Sequence, residues 1–403
     1  MRRFVRLTVK GFRRLADVDL ELRPLNVLIG ANGVGKTSLL DVLSILSSSA
    51  QGNLNTAIGE MSGLPAIITY DRSSEMDLRI SLEGAPTPVI VNGQRLEGQA
   101  AGNTQPLDYL LGLRPHGAAY DIYKETLQQG RRGGGFGGPR VRMHIDSQGG
   151  DIKYFEDHAG KPLRPTWEHN PLESSLSQVP KMYREPEEFR QKLASSALYH
   201  SLSVEPRSPV RLPQAIRPAP LPGKNGEDLV SCLFYLRETE RDRFEAVEDS
   251  LKVAFPGFKR LDFPPVAAGT LAMTWRDSNF SQPLYMHQLS EGILRFLWIA
   301  TLLQSPGLPA VTLLDEPEVS LHPELLSLLA GLLREAAGRT QLLVATHSDR
   351  LIRFLQPDEV VVMDSLEDGS STLTWADSMN LKLWLEQYTL DELWHSGRLG
   401  TRS

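Results

Sequence analysis

Apolar and polar positions alternate in FVRLTVKGF (4–12) and again in VDLELRPLNVLIG (18–30). With β-branched residues and Gly/Pro breaks around them, these runs predict short strands at the start of the chain. The second run stops in a glycine-rich turn, after which TSLLDVLSILSSS (37–49) spaces Leu39, Leu40, Leu43 and Leu46 as a helix does. The predicted order is therefore strand, glycine loop, helix. Two more strand-like runs, AIITYD (66–71) and MDLRISLE (76–83), follow before the pattern weakens at about residue 92.

From about 95 to 225 the composition shifts. GRRGGGFGGPR (130–140) and EPRSPVRLPQAIRPAPLPG (205–223) read as loops or linkers bracketing weak helical or strand patterns, which predicts an α+β insertion with its own small fold. No apolar heptads run through it, so no long coiled-coil arm is expected. Over 227–253, Leu229, Leu233, Leu236, Phe244, Val247 and Leu251 predict one or two amphipathic helices, and from PGF (256–258) the chain returns to core elements. The expected division is 1–95, 96–225 and 226–403.

The strongest chemical signal is Gly30-Ala31-Asn32-Gly33-Val34-Gly35-Lys36-Thr37, a full GxxxxGK[ST] pattern where a strand becomes a helix. The glycines let backbone N–H groups curl around phosphates, and the helix dipole favours the anion. Lys36 is placed to reach the β and γ phosphates of ATP, and Thr37, or Ser38 beside it, to offer a hydroxyl to Mg²⁺. Near the other end, VTLLDEP (311–317) reads as a buried parallel strand with two carboxylates at its carboxyl end, where open α/β sheets bind ligands. Asp315 suits Mg²⁺, and Glu316 suits a general base for the attacking water. Between them, Leu289-Ser290-Glu291-Gly292 opens the apolar helix ILRFLWIATLL, with Ser290 as its N-cap.

Taken in order, phosphate loop, LSEG and DE are similar to an ABC-type ATPase of the branch that holds RecF, the SMC proteins and the overcoming-lysogenization-defect (OLD) nucleases. The matching stretches are VRLTVKGFRRLADVDLELRPLNVLIGANGVGKTSLLD, HQLSEGILRFLWIATLL, VTLLDEPEVSLHPELL, LLVATHSDRLI and, at the end, LWLEQYTLDELWHSGRLG. Together they cover about a third of the chain. The fold class this resemblance implies is an α/β P-loop NTPase of ABC type, a mixed sheet with helices, split by the insertion.

The resemblance also implies roles. Two protomers would sandwich ATP, with Ser290 and Gly292 of one gripping the γ-phosphate held by Lys36 of the other. Residues 318–322 would form the D-loop at the dimer seam. His347, in VATHSD, matches the switch histidine that orients water; capping of the next helix is the plainer alternative for it. Asn32 is typical of the branch, and Phe12 and Arg13 sit where it often contacts nucleotide. No Q-loop glutamine is located, since Gln51 is too close to the first helix. The segment of about 55 residues after His347 is too short for a TOPRIM nuclease domain.

Composition then narrows the setting. A length of 403 residues suggests two or three domain-sized units. Because Lys36 and Asp315 stand 279 positions apart, that count is better read as one split domain plus one insertion. The lone Cys232 fits a reducing compartment. The longest apolar run, 293–303, is interrupted by Arg295 and falls short of the roughly 20 residues of a spanning helix. The charged first residues lack a signal peptide's apolar stretch, so a cytoplasmic protein without membrane partners is expected. The net charge of −6 hides a basic first part: residues 1–150 carry 17 Lys/Arg and 14 Asp/Glu, the remainder 26 and 35.

A homodimeric, ATP-hydrolysing switch acting on double-stranded or end DNA is the leading expectation, in repair, recombination or phage defence. Arg131, Arg132, Arg140 and Arg142 around GGGFGG supply a basic loop for phosphate contacts. Two other readings stay open. One is an ABC transporter's ATP-binding subunit, against which LSEGILR lacks the glutamine and basic residue usual after a transporter signature. The other is an ATP-dependent regulator of a separately encoded nuclease, toxin or other effector.

Overall fold

The computed structural model describes residues 2–69, 72–84, 88–91, 94–100, 105–117, 119–130, 141–155, 162–379, 388–397 and 399. The chain divides into two compact units, Met1–Arg23 with Gly30–Ala197 and Met363–Thr374, and Pro24–Ile29 with Leu198–Val362 and Trp375–Ser403.

The first unit is built on an eight-stranded sheet. Its order is Pro162–Leu163, Asp151–Phe155, Arg142–Gln148, Ala119–Gln129, Leu107–His116, Met76–Leu82, Phe4–Phe12 and Leu15–Glu21. Every neighbouring pair is antiparallel. Alternation in the first strand is resolved as expected: Phe4, Leu7 and Val9 are buried while Arg6 and Lys10 pair with Asp19 and Asp17 on the next strand. The helices Lys36–Gln51 and Arg184–Ala194 pack on each other, the first burying Leu39, Leu40, Leu43 and Leu46.

The expected boundary near residue 95 is not where the units divide. Leu107–His116 pairs in register with Met76–Leu82, so the antiparallel sheet continues through the segment expected to fold separately, and the division comes at Ala197. The pattern hid this because Leu107–His116 buries five consecutive residues, 109–113, and shows no alternation.

Two further corrections are local. VDLELRPLNVLIG is not one strand but two, Leu15–Glu21 and Leu25–Gly30, in different sheets. Pro24 between them has no N–H to continue a ladder. AIITYD is not a strand: Leu64–Ile67 is a short helix with Pro65 in its first turn, where a missing N–H costs nothing. Tyr70 and Asp71 lie outside the described residues.

A fully buried carboxylate ties the sheet to the loop before the helix Arg184–Ala194. Glu125 accepts from Tyr109 Oη at 2.9 Å, Ser175 N at 2.6 Å and Leu176 N at 2.9 Å. Burial pushes its carboxyl above the ordinary range, offset in part by those bonds. Glu125→Ala should leave three buried donors unpaired and cost about 3 kcal/mol or more, read as a lower urea midpoint. Because the native state holds this proton more firmly than the unfolded chain, the stability Glu125 contributes falls as pH rises from the ordinary glutamate range through the raised one. Glu125→Gln should flatten that slope, and a slope equal to wild type removes Glu125 as its source.

The second unit carries a sheet in which Ala197–Tyr199, Val311–Asp315, Gln341–Ala345, Leu25–Gly30 and Val360–Ser365 are neighbours in that order. Val311–Asp315, Gln341–Ala345 and Leu25–Gly30 run parallel. Their buried runs lack alternation, as expected of strands covered on both faces. The helices Leu229–Thr239, Arg241–Ala254, Glu291–Gln304 and Leu326–Ala337 belong to this unit. The first two are the helices predicted over 227–253, and they bury Leu229, Leu233, Leu236, Phe244, Val247 and Leu251.

Candidate functional site

The residues singled out by sequence fall into two groups, one in each unit. In the first, residues 30–35 form a turn after the strand Leu25–Gly30 and lead into the 16-residue helix Lys36–Gln51. Gly35 occupies the N-cap position at φ 104°, a conformation that suits glycine. At Gly30 an added Cβ would run into the Met363 carbonyl. The helix start carries neither a side-chain cap nor an acidic residue in its first turn, which leaves its positive end suited to an anion. Asn32 and Gly33 are exposed, Ala31 and Gly35 half-buried, and Val34 and Lys36 buried. Lys36 Nζ donates to the carbonyls of Gly30 at 2.7 Å and Ala31 at 3.0 Å, so the ammonium is held inside the loop. Thr37 is exposed and Ser38 half-buried on the first turn.

Arg13 is brought to the same helix. It has φ 46°, lies over the Phe12 ring at 5.0 Å, and donates to Asp41 Oδ2 at 2.5 Å and Ser38 Oγ at 3.4 Å. Two contributors were invisible in sequence. Asp41 anchors Arg13, and Ser371 donates its hydroxyl to the Val34 carbonyl at 2.6 Å and its N–H to the Arg14 carbonyl at 2.9 Å. Neither is part of the GxxxxGK[ST] pattern, and Ser371 lies 337 residues from its loop partner.

In the second unit the register sets Asp315 level with Ala345, and Ala345 level with Leu28, so three parallel strands end together. Asp315 Oδ2 lies 3.4 Å from Nδ1 of His200, a residue with no sequence signal that follows the edge strand Ala197–Tyr199. Glu316 donates its N–H to the Ala345 carbonyl at 2.9 Å and has φ 51°. A left-handed glutamate costs roughly 1–2 kcal/mol, strain of the kind that gathers at working sites. Its Oε1 lies 3.5 Å from His347 Nε2.

The next helix is capped by Ser348, which accepts from Leu351 N at 3.2 Å, so the capping alternative for His347 falls away. Ser290 caps Glu291–Gln304 as expected, accepting from Ile293 N at 3.3 Å. Gly292 leaves room for the Ser320 carbonyl, 3.2 Å from where a Cβ would stand. Gln51 donates to the Ala194 carbonyl at 2.6 Å. Arg131, Arg132 and Arg140 lie outside the described residues, as do residues 383–387, 398 and 400 of the final stretch LWLEQYTLDELWHSGRLG; Arg142 opens the strand Arg142–Gln148.

The residues fit nucleotide and Mg²⁺. The uncapped helix start and the inward lysine suit a polyphosphate. Among the described residues no cluster of three or more His, Cys, Asp or Glu could hold a metal. Thr37 and Asp315 each offer an oxygen donor of the kind Mg²⁺ takes beside phosphate oxygens and water.

A glycine loop closing a buried parallel strand, with acidic residues ending a parallel strand of the same sheet, defines an ABC-type P-loop ATPase fold. A family model described as "AAA domain, putative AbiEii toxin, Type IV TA system" matches residues 144–353, and one described as "AAA ATPase domain" matches residues 4–125. The first spans more than half of the chain, and the chain belongs to that family.

Among known proteins it is similar to an OLD nuclease of Thermus scotoductus, 22% identical over 389 residues, 91% of this chain. The match spans 65% of that relative's length. Its fold is shared with solved SMC heads. One, bound to the C-winged helix domain of ScpA, is 16% identical with a TM-score of 0.52, covering 92% of this chain and 97% of that one. Another, from Pyrococcus furiosus, has an extended coiled coil and is bound to the C-terminal domain of ScpA. It is 13% identical with a TM-score of 0.54, covering 96% and 100%. No described helix is long and apolar enough to cross a membrane.

Proposed function

We propose that this chain is an ATP-hydrolysing switch whose homodimer closes on ATP and opens after hydrolysis, and that it acts on DNA directly or through a partner effector. The observation that carries the reading is the inward Lys36 at an uncapped, acid-free helix start. Lys36 would turn from the loop carbonyls to the β and γ phosphates, and the loop amides of residues 30–38 would surround them. Thr37 or Ser38, with Asp315, would hold Mg²⁺, whose charge would offset that of the phosphates. Glu316 would take the proton of the attacking water while His347, 3.5 Å away, orients it. Arg13, anchored by Asp41, would reach the nucleotide from the turn before the second strand. Ser290 and Gly292 would complete the site of the partner protomer. The ATPase domain would be assembled from both ends of the chain.

DNA as partner is supported by the basic first part of the chain and by the likeness to an OLD nuclease and to SMC heads. Turnover measured with and without DNA at low and moderate salt tests it. DNA should stimulate hydrolysis and lose its hold as salt rises, because displaced counterions dominate such binding. Absence of both effects removes DNA. A second reading, an ATP-dependent regulator of a separate nuclease or toxin, is favoured by the toxin–antitoxin description of the family. It predicts stimulation by a co-purifying effector and none by DNA.

A further inference from the structure

We propose that Glu318 is a positioning residue for hydrolysis, a buried carboxyl that ties the turn bearing Glu316 to the turn bearing His347. This rests on the reading of those two residues as the hydrolytic pair. Glu318 lies two positions after Glu316, and its Oε1 accepts from both the Thr346 hydroxyl and the His347 backbone N–H, the latter at 3.3 Å. The Thr346 hydroxyl in turn accepts from Ser348 N at 3.0 Å. One oxygen therefore gathers all of 346–348, the segment that leads from the strand Gln341–Ala345 to the capped helix Asp349–Ile352. Beside it, Glu316 N donates to the Ala345 carbonyl at 2.9 Å, and Thr346 N donates to the Leu28 carbonyl on the neighbouring strand at 3.1 Å.

The second oxygen, Oε2, is buried with no hydrogen-bond partner among the described residues. A group kept in that state without a structural return is costly, because an unpaired buried acceptor forfeits its hydration. Burial, and secondarily the nearby Glu316, push the Glu318 carboxyl above its ordinary range against the opposing pull of the Thr346 and His347 bonds. A neutral side chain with one acceptor aimed at Thr346 and His347 would thus serve as well as a carboxylate. This sets Glu318 apart from Glu316, whose proposed role needs a base.

The distinction gives the test, which compares Glu318→Ala with Glu318→Gln, and Thr346→Val with Thr346→Ser, by steady-state ATP turnover and equilibrium nucleotide binding. Displacement of a reacting group by about 1 Å can cost on the order of 10²-fold. Glu318→Ala is therefore expected to lower kcat about 100-fold with ATP affinity within about twofold, since Lys36 and its loop are untouched. Glu318→Gln, which keeps the acceptor, should restore kcat to within a few-fold. Thr346→Val should lower kcat and Thr346→Ser should not, and the Glu318→Ala/Thr346→Val double variant should lose less than the product of the single losses.

The inference is overturned if Glu318→Ala keeps wild-type kcat, or if Glu318→Gln falls as far as Glu318→Ala, which would assign the side chain a chemical role instead. Should Glu318→Ala fail to fold, the threonine pair decides: equal turnover in Thr346→Val and Thr346→Ser overturns it. Glu316→Gln run alongside separates the two levels. If Glu316→Gln is inactive and Glu318→Ala is not, this inference alone fails; if Glu316→Gln turns over ATP normally, the underlying reading fails and takes this one with it.

Discussion

Lys36→Ala is expected to abolish ATP binding at concentrations that saturate the wild type. The ammonium is the single side-chain charge of the loop, held 2.7 Å and 3.0 Å from the carbonyls of Gly30 and Ala31, and Lys36 is buried. A unit charge about 4 Å from a phosphate charge in a partly screened site is worth about 4 kcal/mol, roughly a thousandfold in affinity. Titration with a fluorescent ATP analogue measures this, with circular dichroism to show that the fold is intact. Affinity within tenfold of wild type would remove residues 30–37 as the phosphate site, whatever the family.

Glu316→Gln is expected to leave ATP binding intact and to lower kcat by about 10²- to 10⁴-fold, the range ascribed to a positioned proton acceptor. The substitution keeps size, the left-handed backbone at φ 51° and an oxygen facing His347, so it removes basicity with little change of geometry. With hydrolysis blocked and binding kept, the ATP-bound form should accumulate as a dimer, read by light scattering with and without ATP. A variant that stays monomeric under saturating ATP would falsify the two-protomer site. Unchanged turnover would leave the dimer possible and discard Glu316 as base. Taken together, the two substitutions separate nucleotide capture from its consumption, because Lys36 and Glu316 belong to different turns of the chain.

Much of the candidate site could be read without coordinates, and the legible parts share a property: their geometry is decided by neighbours in sequence. The glycine loop running into the helix Lys36–Gln51 and the Ser290 cap each depend on a handful of adjacent residues. The strand Val311–Asp315 was legible for the same reason, as an unbroken apolar run ending in acids. What could not be read was which distant groups meet. Asp41 anchoring Arg13, Ser371 bracing Val34, His200 beside Asp315 and Glu318 beneath Thr346 follow from pairing across 28, 337, 115 and 28 residues.

Errors of pattern had the same origin. Residues 107–116 give no strand signal because burial of consecutive residues in a sheet erases the alternation that announces one, and AIITYD reads as a strand although Leu64–Ile67, with Pro65 in its first turn, is a short helix. By itself, then, the amino-acid sequence determined the local features: the glycine loop, the acid-ending strand, the Ser290 cap and the family resemblance they carry. Only the tertiary structure decided where the units divide, which strands extend the first sheet and which carboxyl holds the His347 segment. Local backbone preference is written in adjacent residues, whereas strand pairing and burial are settled by contacts between segments that the order of residues does not name.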